Sequence, residues 1–160
     1  MEPDITIQRA TLQDFERVLA FYNLIDPEFF PPLSQRFCLT DKVQQAVGSP
    51  GETCYMAIRD GKIVAVMSFE RNIDNDPAKV YLKFFGVRPD CRKSGIGITF
   101  RREVLERMRT DGIKTVTTRT WSTNHDMLAL NRKLGFEIDR VITDDRGPGV
   151  DTIYFVKRFE

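Results

Sequence analysis

Residues 80 to 110 constrain this chain more than any other stretch. Val80 to Val87 is apolar on both faces, as a strand covered on both sides must be. Gly86 and Pro89 bound it. Beyond the loop that ends in Gly95-Ile96-Gly97, residues Ile96, Phe100, Val104, Leu105 and Met108 recur on one helical stripe, predicting a helix over 95–110. A buried strand feeding a glycine-bearing loop and then an amphipathic helix needs a sheet with helices packed against it.

The remaining elements follow from local pattern. Ile5 and Ile7 alternate with polar neighbours and predict a short strand. Thr11 can cap a helix carrying Leu12, Phe15, Val18, Leu19 and Tyr22, which ends before Asp26-Pro27. Phe29-Phe30-Pro31-Pro32 reads as a loop, because proline lacks the helical donor and restricts the residue before it. A second helix runs from about Thr40 to Gly48. Tyr55 to Ile58, a turn at Asp60-Gly61, and Ile63 to Phe69 make a hairpin. Arg71 to Ala78, with Pro77, is a further turn. Ile113 to Thr120 is a threonine-rich strand. A last helix spans about Asn124 to Lys133 and stops at Gly135. Phe136 to Ile142 and Thr152 to Phe159 close the fold around a mobile hairpin loop at 144–149. The order β-α-α-β-β-β-α-β-α-β-β predicts an α/β or α+β domain, with a mixed sheet covered by helices, over residues 1–160.

Bulk properties remove several function classes. At 160 residues the chain can bury roughly two thirds of its unfolded surface without a disulfide or metal. Its 24 basic and 23 acidic residues give a net charge of +1, which gives nucleic acid no general attraction. Cys38, Cys54 and Cys91 are too widely spaced for a zinc site or a disulfide scaffold, and point to a reducing compartment. The N-terminus lacks the marks of a signal peptide, and no apolar run nears the ~20 residues that cross a bilayer. The expectation is a cytoplasmic protein with no membrane, nucleic-acid or metal partner.

The chemistry is concentrated in Arg92-Lys93-Ser94-Gly95-Ile96-Gly97. The first turn of a helix has free N–H groups and partial positive charge, so a phosphate can be held there by the main chain. Gly95 and Gly97 leave the approach open, and Arg92 and Lys93 add full charge. A dinucleotide loop would need a third glycine where Phe100 stands, and there is no Gly-Lys-Ser/Thr of a nucleoside-triphosphate loop. A tight turn with solvated basic neighbours is the plain alternative.

This segment resembles the R/Q-x-x-G-x-G/A motif of the GCN5-related N-acetyltransferase (GNAT) family. Asn124 through Asn131 to Gly135-Phe136 is similar to the family's second cofactor-contacting region, N-x-x-A…Y-x-x-x-G-F. The resemblance covers residues ~80 to 137 and implies an acyl-CoA N-acyltransferase-like fold: a mixed, mostly antiparallel sheet with helices on both faces. It implies that acetyl-CoA is the co-substrate, its pyrophosphate on residues 92 to 97 and its pantetheine arm beside Phe85, Gly86 and Val87. A main-chain N–H there would polarise the thioester carbonyl. Asn124 and Asn131 would face the cofactor from the last helix. The acceptor would be a primary amine, on a small molecule or on a protein N-terminus or lysine, attacking directly after acyl-CoA has bound. A homodimer stays open.

Asn131 stands where many family members carry a tyrosine proposed to protonate the departing thiolate, and an amide has no such proton. A thiolate with a pKa of about 8.5 can take its proton from solvent. Asn131 shares a helix face with Asn124, Met127 and Leu128, so it either bonds a ligand or a neighbouring backbone group. Asn124 also sits where an N-cap belongs. No general base is assigned; Glu70 and the acids of 139–151 are open, each otherwise a surface charge. Lys83 is expected to snorkel at an edge, His125 to be solvated, and Trp121 and the pair Phe29-Phe30 to border the acceptor or fill the core. Arg101, Arg102, Arg107 and Arg109 read as a solvated helix face with i,i+4 pairs Arg102–Glu106 and Glu103–Arg107. Cys91 lies in the phosphate loop, so it is not expected to be a nucleophile. A non-catalytic acyl-CoA-binding module and a generic nucleotide-phosphate binder are the rival readings.

Overall fold

Asp60 and Gly61 both take positive φ, 52° and 75°, and this tight turn folds β2 (Glu52–Arg59) onto β3 (Lys62–Glu70). The computed structural model describes residues 3–160. β1 (Thr6–Arg9) pairs antiparallel with β2, and β4 (Lys79–Val87) antiparallel with β3. β5 (Thr115–Trp121), β6 (Glu137–Ile142) and β7 (Thr152–Arg158) complete one seven-stranded sheet, in the order β1-β2-β3-β4-β5-β7-β6. Only β4 and β5 are parallel, as the helical crossover between them requires.

Helices cover both faces. α1 (Phe15–Ile25) and α2 (Leu39–Gly48) bury Val18, Phe21, Tyr22, Val43 and Ala46 against Met56, Val66 and Phe84. α3 (Ile96–Thr110) and α4 (His125–Lys133) lie on the other side, where Phe100, Val104 and Leu105 pack on Met67, Val80 and Phe155. The predicted element order and mixed sheet are those observed.

A β-bulge in β4 sets the site. Leu82 pairs with Phe69 and Phe84 with Ser68, so Lys83 is the extra residue. Val80 and Leu82 face α3, but beyond the bulge Phe84 and Gly86 face α1, and Phe85 and Val87 pack towards α3. Lys83 and Phe84 thus share one face. Lys83 does not snorkel at an edge: its Nζ is 2.7 Å from Glu52 Oε1, in a pair whose side chains are 19% and 10% exposed.

Other departures have local causes. Thr11 caps a 3-10 turn, Leu12–Asp14, in a capping box with Asp14, and α1 starts only at Phe15. β5 starts at Thr115 because Ile113 closes the end of α3, its N–H bonded to Met108 C=O at 3.0 Å beyond Gly112 at φ 91°. The loop 144–149 is pinned, not loose. Asp144 Oδ1 accepts from Gly149 N–H at 2.7 Å, and Arg146 donates to Thr152 Oγ1 at 3.0 Å and to Phe30 C=O at 2.9 Å. On α3, Glu106 pairs with Arg109, not Arg102, while Glu103 and Arg107 approach within 3.8 Å.

Candidate functional site: a cleft where the sheet splits

β4 and β5 pair only at Lys79–Thr115, Val80–Val116 and Tyr81–Thr117. Past that point they diverge, and only Thr118 Oγ1 still reaches across, donating to Leu82 C=O at 3.2 Å. Arg88 N–H bonds Val64 C=O at 2.8 Å, so strand alternation turns the main-chain groups of Val87 and Phe85 the other way, into the gap. Arg92 Nε, 3.0 Å from Val87 C=O, takes one of them. A cavity of about 520 Å³ fills the split, within the range of ordinary ligand sites.

One end of this cavity is the start of α3. Gly95 is the N-cap in the left-handed region, φ 85°, with no side-chain cap, so the first-turn donors stay free. Gly97 is open for a different reason: a Cβ there would lie 3.2 Å from Val87 Cγ2 and 3.7 Å from the Phe85 ring. Arg92, Lys93, Gly95 and Gly97 line the cavity, as do Phe85, Gly86, Val87 and Asn124. Gly86 also packs tightly, since a Cβ would meet Ile25 at 3.3 Å and Phe21 at 3.4 Å.

Three of the expected site residues lie off the cavity lining. Ile96 is a core residue under α3. Ser94 is exposed and bonds Cys91 C=O at 2.5 Å. Asn131 is fully buried, and both atoms of its amide lack a hydrogen-bond partner within the protein. Asn124 is the expected N-cap of α4. Its Oδ1 accepts from Met127 N–H at 3.4 Å as the N-cap of α4, its Nδ2 donates to Thr120 Oγ1 at 3.0 Å, and it lines the cavity.

Arg92 is already engaged. Its guanidinium forms a two-toothed pair with Glu28, with Nη2 to Oε2 at 2.9 Å. That pair ties the loop before α3 to the chain following α1. The expectation for Arg101 fails outright. It is 1% exposed, lies between the rings of Phe85 and Phe136 at 5.2 and 4.9 Å, and lines the cavity. Nη1 is 3.0 Å from Met127 Sδ, while Nε and Nη2 have no acceptor. Burial pulls its pKa from 12.5 down to about 9. Spacing held the signal, since Arg101 is one turn from Gly97 and from Leu105.

A second, smaller cavity, about 90 Å³, lies on the α1/α2 face of the same split. Phe29, Lys83, Phe84, Arg119 and Trp121 border both cavities, so the two adjoin along this shared wall. Phe29 packs on Phe84 and Trp121, with ring centroids at 5.5 and 5.7 Å, while Phe30 is 43% exposed. Glu52 is the carboxylate in the smaller cavity. Neither Glu70 nor any acid of 139–151 lines either cavity. Glu52 could not be found from local pattern, because it is joined to Lys83 across β3. Among the described residues no cluster of metal-ligating side chains occurs, and no helix is long and apolar enough to cross a membrane.

Comparison with known proteins gives the same architecture. The family model "Acetyltransferase (GNAT) family" matches residues 18–136. A GNAT-family acetyltransferase from Streptococcus pneumoniae superposes with a TM-score of 0.82 at 17% identity, over 98% of this chain and 100% of that one. A ribosomal-protein-alanine N-acetyltransferase from Brucella melitensis gives 0.77 at 22% identity, over 96% and 99%. Arabidopsis thaliana NAA60, solved with a bisubstrate analogue, gives 0.78 at 17%, over 97% and 98%. At these identities the solved structures share the fold.

Proposed function

This chain belongs to the acetyltransferase (GNAT) family, and we propose that as a single domain over residues 1–160 it moves an acetyl group from acetyl-CoA to a primary amine. The observation that carries this reading is the split itself. Main-chain groups of Phe85 and Val87 left out of the β4–β5 ladder, one of them the Val87 C=O that Arg92 takes, face a cavity that ends on a glycine-lined, basic helix start. The residues fit the co-substrate. The α3 donors with Gly95, Gly97 and Lys93 would hold the pyrophosphate, the β4 main chain would hold the pantetheine amides, and Asn124 would face it from α4. Acetyl-CoA supplies an activated thioester carbonyl. The new C–N bond forms as the C–S bond breaks, and the amine gives up a proton.

Glu52 is proposed as the proton acceptor. Its Oε1 is held by Lys83 at 2.7 Å, and Oε2 takes the proton directly or through one water. Cys54 is no rival nucleophile, since burial pushes its thiol up to about 12. Asn131 is buried off the cavity lining and its amide has no acidic proton to give, so thiolate protonation is assigned to solvent. The reading further places the protein in the cytoplasm, where acetyl-CoA is made available.

The test has two stages. Calorimetry should show acetyl-CoA and CoA binding that Gly95→Ala weakens. Amine-dependent thiol release should then fall by about 10²-fold or more in Glu52→Gln, with acetyl-CoA affinity retained. Absence of binding to the parent protein sinks the proposal. Binding without thiol release for any amine would leave a non-catalytic acyl-CoA module.

A further inference from the structure

The smaller cavity has a charge imbalance that neither the fold nor acetyl-CoA explains. Arg36, Lys42, Lys83, Arg119 and Arg146 line it, against a single carboxylate, Glu52. Glu52 already pairs with Lys83 through Oε1. Among the described residues none of the other four cations forms an ion pair. Asp145 acts on Arg36, Arg119 and Arg146 from a distance, but its Oδ2 accepts from Thr152 Oγ1 at 2.6 Å.

These cations come from five separate segments. Arg36 follows the 3-10 turn Leu33–Gln35, Lys42 is on α2, Lys83 is the bulge residue of β4, Arg119 is on β5, and Arg146 is in the β6–β7 loop. Like charges gathered by so many elements cost folding energy, although at Arg119 burial is outweighed by Tyr81, Tyr154 and Asp145, which raise its pKa. Burial lowers Arg36, Lys42 and Arg146, and neighbouring cations lower them further: Arg119 acts on Arg36 and Arg146, Lys83 on Lys42. What they meet within the protein is aromatic and neutral. Lys42 Nζ sits 3.9 Å from the Phe37 ring centroid, Arg146 stacks over Trp121 at 5.5 Å, and Arg119 Nη1 reaches Tyr154 Oη at 3.4 Å. A cationic pocket built this way fits an anion and repels a second cation.

We infer that the acceptor is a small amine carrying a negative group near the amine, such as the carboxylate or phosphonate of an amino acid. The inference rests on the acetyl-transfer reading, because it assigns this cavity to the acceptor. The shared wall supports that assignment, since an anion held by Arg36, Lys42 and Arg146 would leave its amine directed at Lys83, Glu52 and the strand gap. Size argues for a compact molecule. At about 90 Å³ the cavity is far below the ~300–1,000 Å³ of sites that enclose larger ligands. Polyamines and lysine-rich chains would bring positive charge to a positive wall.

The experiment is an acceptor panel scored by thiol release, with acetyl-CoA binding measured separately by calorimetry. The panel pairs free amino acids and aminophosphonates with their amides or esters, and adds spermidine and a lysine-rich peptide. The expected result is a preference of roughly tenfold or more in kcat/KM for the anionic member of a pair. Arg36→Gln combined with Lys42→Gln, both lying away from the larger cavity, should raise KM for the anionic amine by a similar factor and leave acetyl-CoA affinity as it was. An acidic peptide used as well as the free amino acid would overturn the size argument. Equal or better use of amides, spermidine or the basic peptide overturns the inference, as does intact acetyl-CoA binding with no anionic amine acetylated. Failure to bind acetyl-CoA at all strikes the acetyl-transfer reading instead.

Discussion

Replacing Arg101 by methionine is expected to make the protein more stable and a poorer binder of acetyl-CoA. Its pKa falls from 12.5 to about 9, with burial the cause. At neutral pH the group is charged in both folded and unfolded chains, so this difference of about 3.5 is a cost of holding the charge inside, about 5 kcal/mol at ~1.4 kcal/mol per pH unit. Phe85 and Phe136 return roughly 2 kcal/mol through their ring faces. Methionine is long enough to keep the contacts with both rings and with Met127. The net gain is about 2–3 kcal/mol, within the range seen when buried charges give way to apolar side chains. For a chain of this length that raises Tm by roughly 5–10 °C. The folded pKa is the lower one, so the unfolded chain holds the proton more tightly. The penalty is therefore constant below about pH 9 and shrinks only above it, and the gain should be the same at about pH 6 and pH 8. Urea and thermal unfolding at both values measure it, and calorimetry measures the loss of acetyl-CoA affinity as the unpartnered N–H groups on Nε and Nη2 leave the cavity wall. Destabilisation by more than about 1 kcal/mol would refute the reasoning, because it would mean the guanidinium is satisfied where it lies.

Cys54 gives a prediction of opposite sign. Its thiol is raised from 9.0 to about 12, so above about pH 9 the unfolded chain gives up a proton that the folded one keeps, and stability falls as pH rises. The stability of Cys54→Ala relative to the parent should improve by about 1.4 kcal/mol per pH unit above pH 9, read from urea midpoints; a flat difference contradicts the assignment. Gly97→Val should weaken acetyl-CoA binding by roughly tenfold or more, because the new side chain must displace Val87 and Phe85 at the cavity wall. Retention of full affinity would move the binding site elsewhere. Glu28→Gln should tighten CoA binding severalfold, since it frees Arg92 and removes a negative charge near the loop before α3. Weaker binding would show that the Glu28 pair holds the loop in its competent shape.

The elements legible in the sequence are those specified over a few residues. The 55–69 hairpin needs only alternation and Asp60-Gly61, and α3 only its apolar stripe. The loop before α3 was readable for the same reason, as a strand end, two glycines and a helix start in one run. Glu52 and Lys83 were not, because they meet across β3, and no local pattern encodes which charges a bulge brings together. The Glu28–Arg92 pair spans 64 residues and is equally silent in the chain. Arg101 is a different kind of miss. Three arginines near it are solvated or half-buried, and residue type outweighed spacing, although spacing was correct.

The parallel contact between β4 and β5, only three residue pairs long, makes the sheet a hinge-like joint between two blocks. β1 to β4 and β5 to β7 are each laced by longer antiparallel ladders, so the joint is where amide exchange by sub-global opening should be fastest. A molecule lying in the gap and bonded to both sides acts as a missing strand. At a concentration about 100 times its Kd it would add ~2.7 kcal/mol to folding, and the slowed exchange should be concentrated in Phe85, Val87 and the end of β5. On the proposed reading, the cleft that would take the substrate is also the place where this fold is left for a ligand to finish.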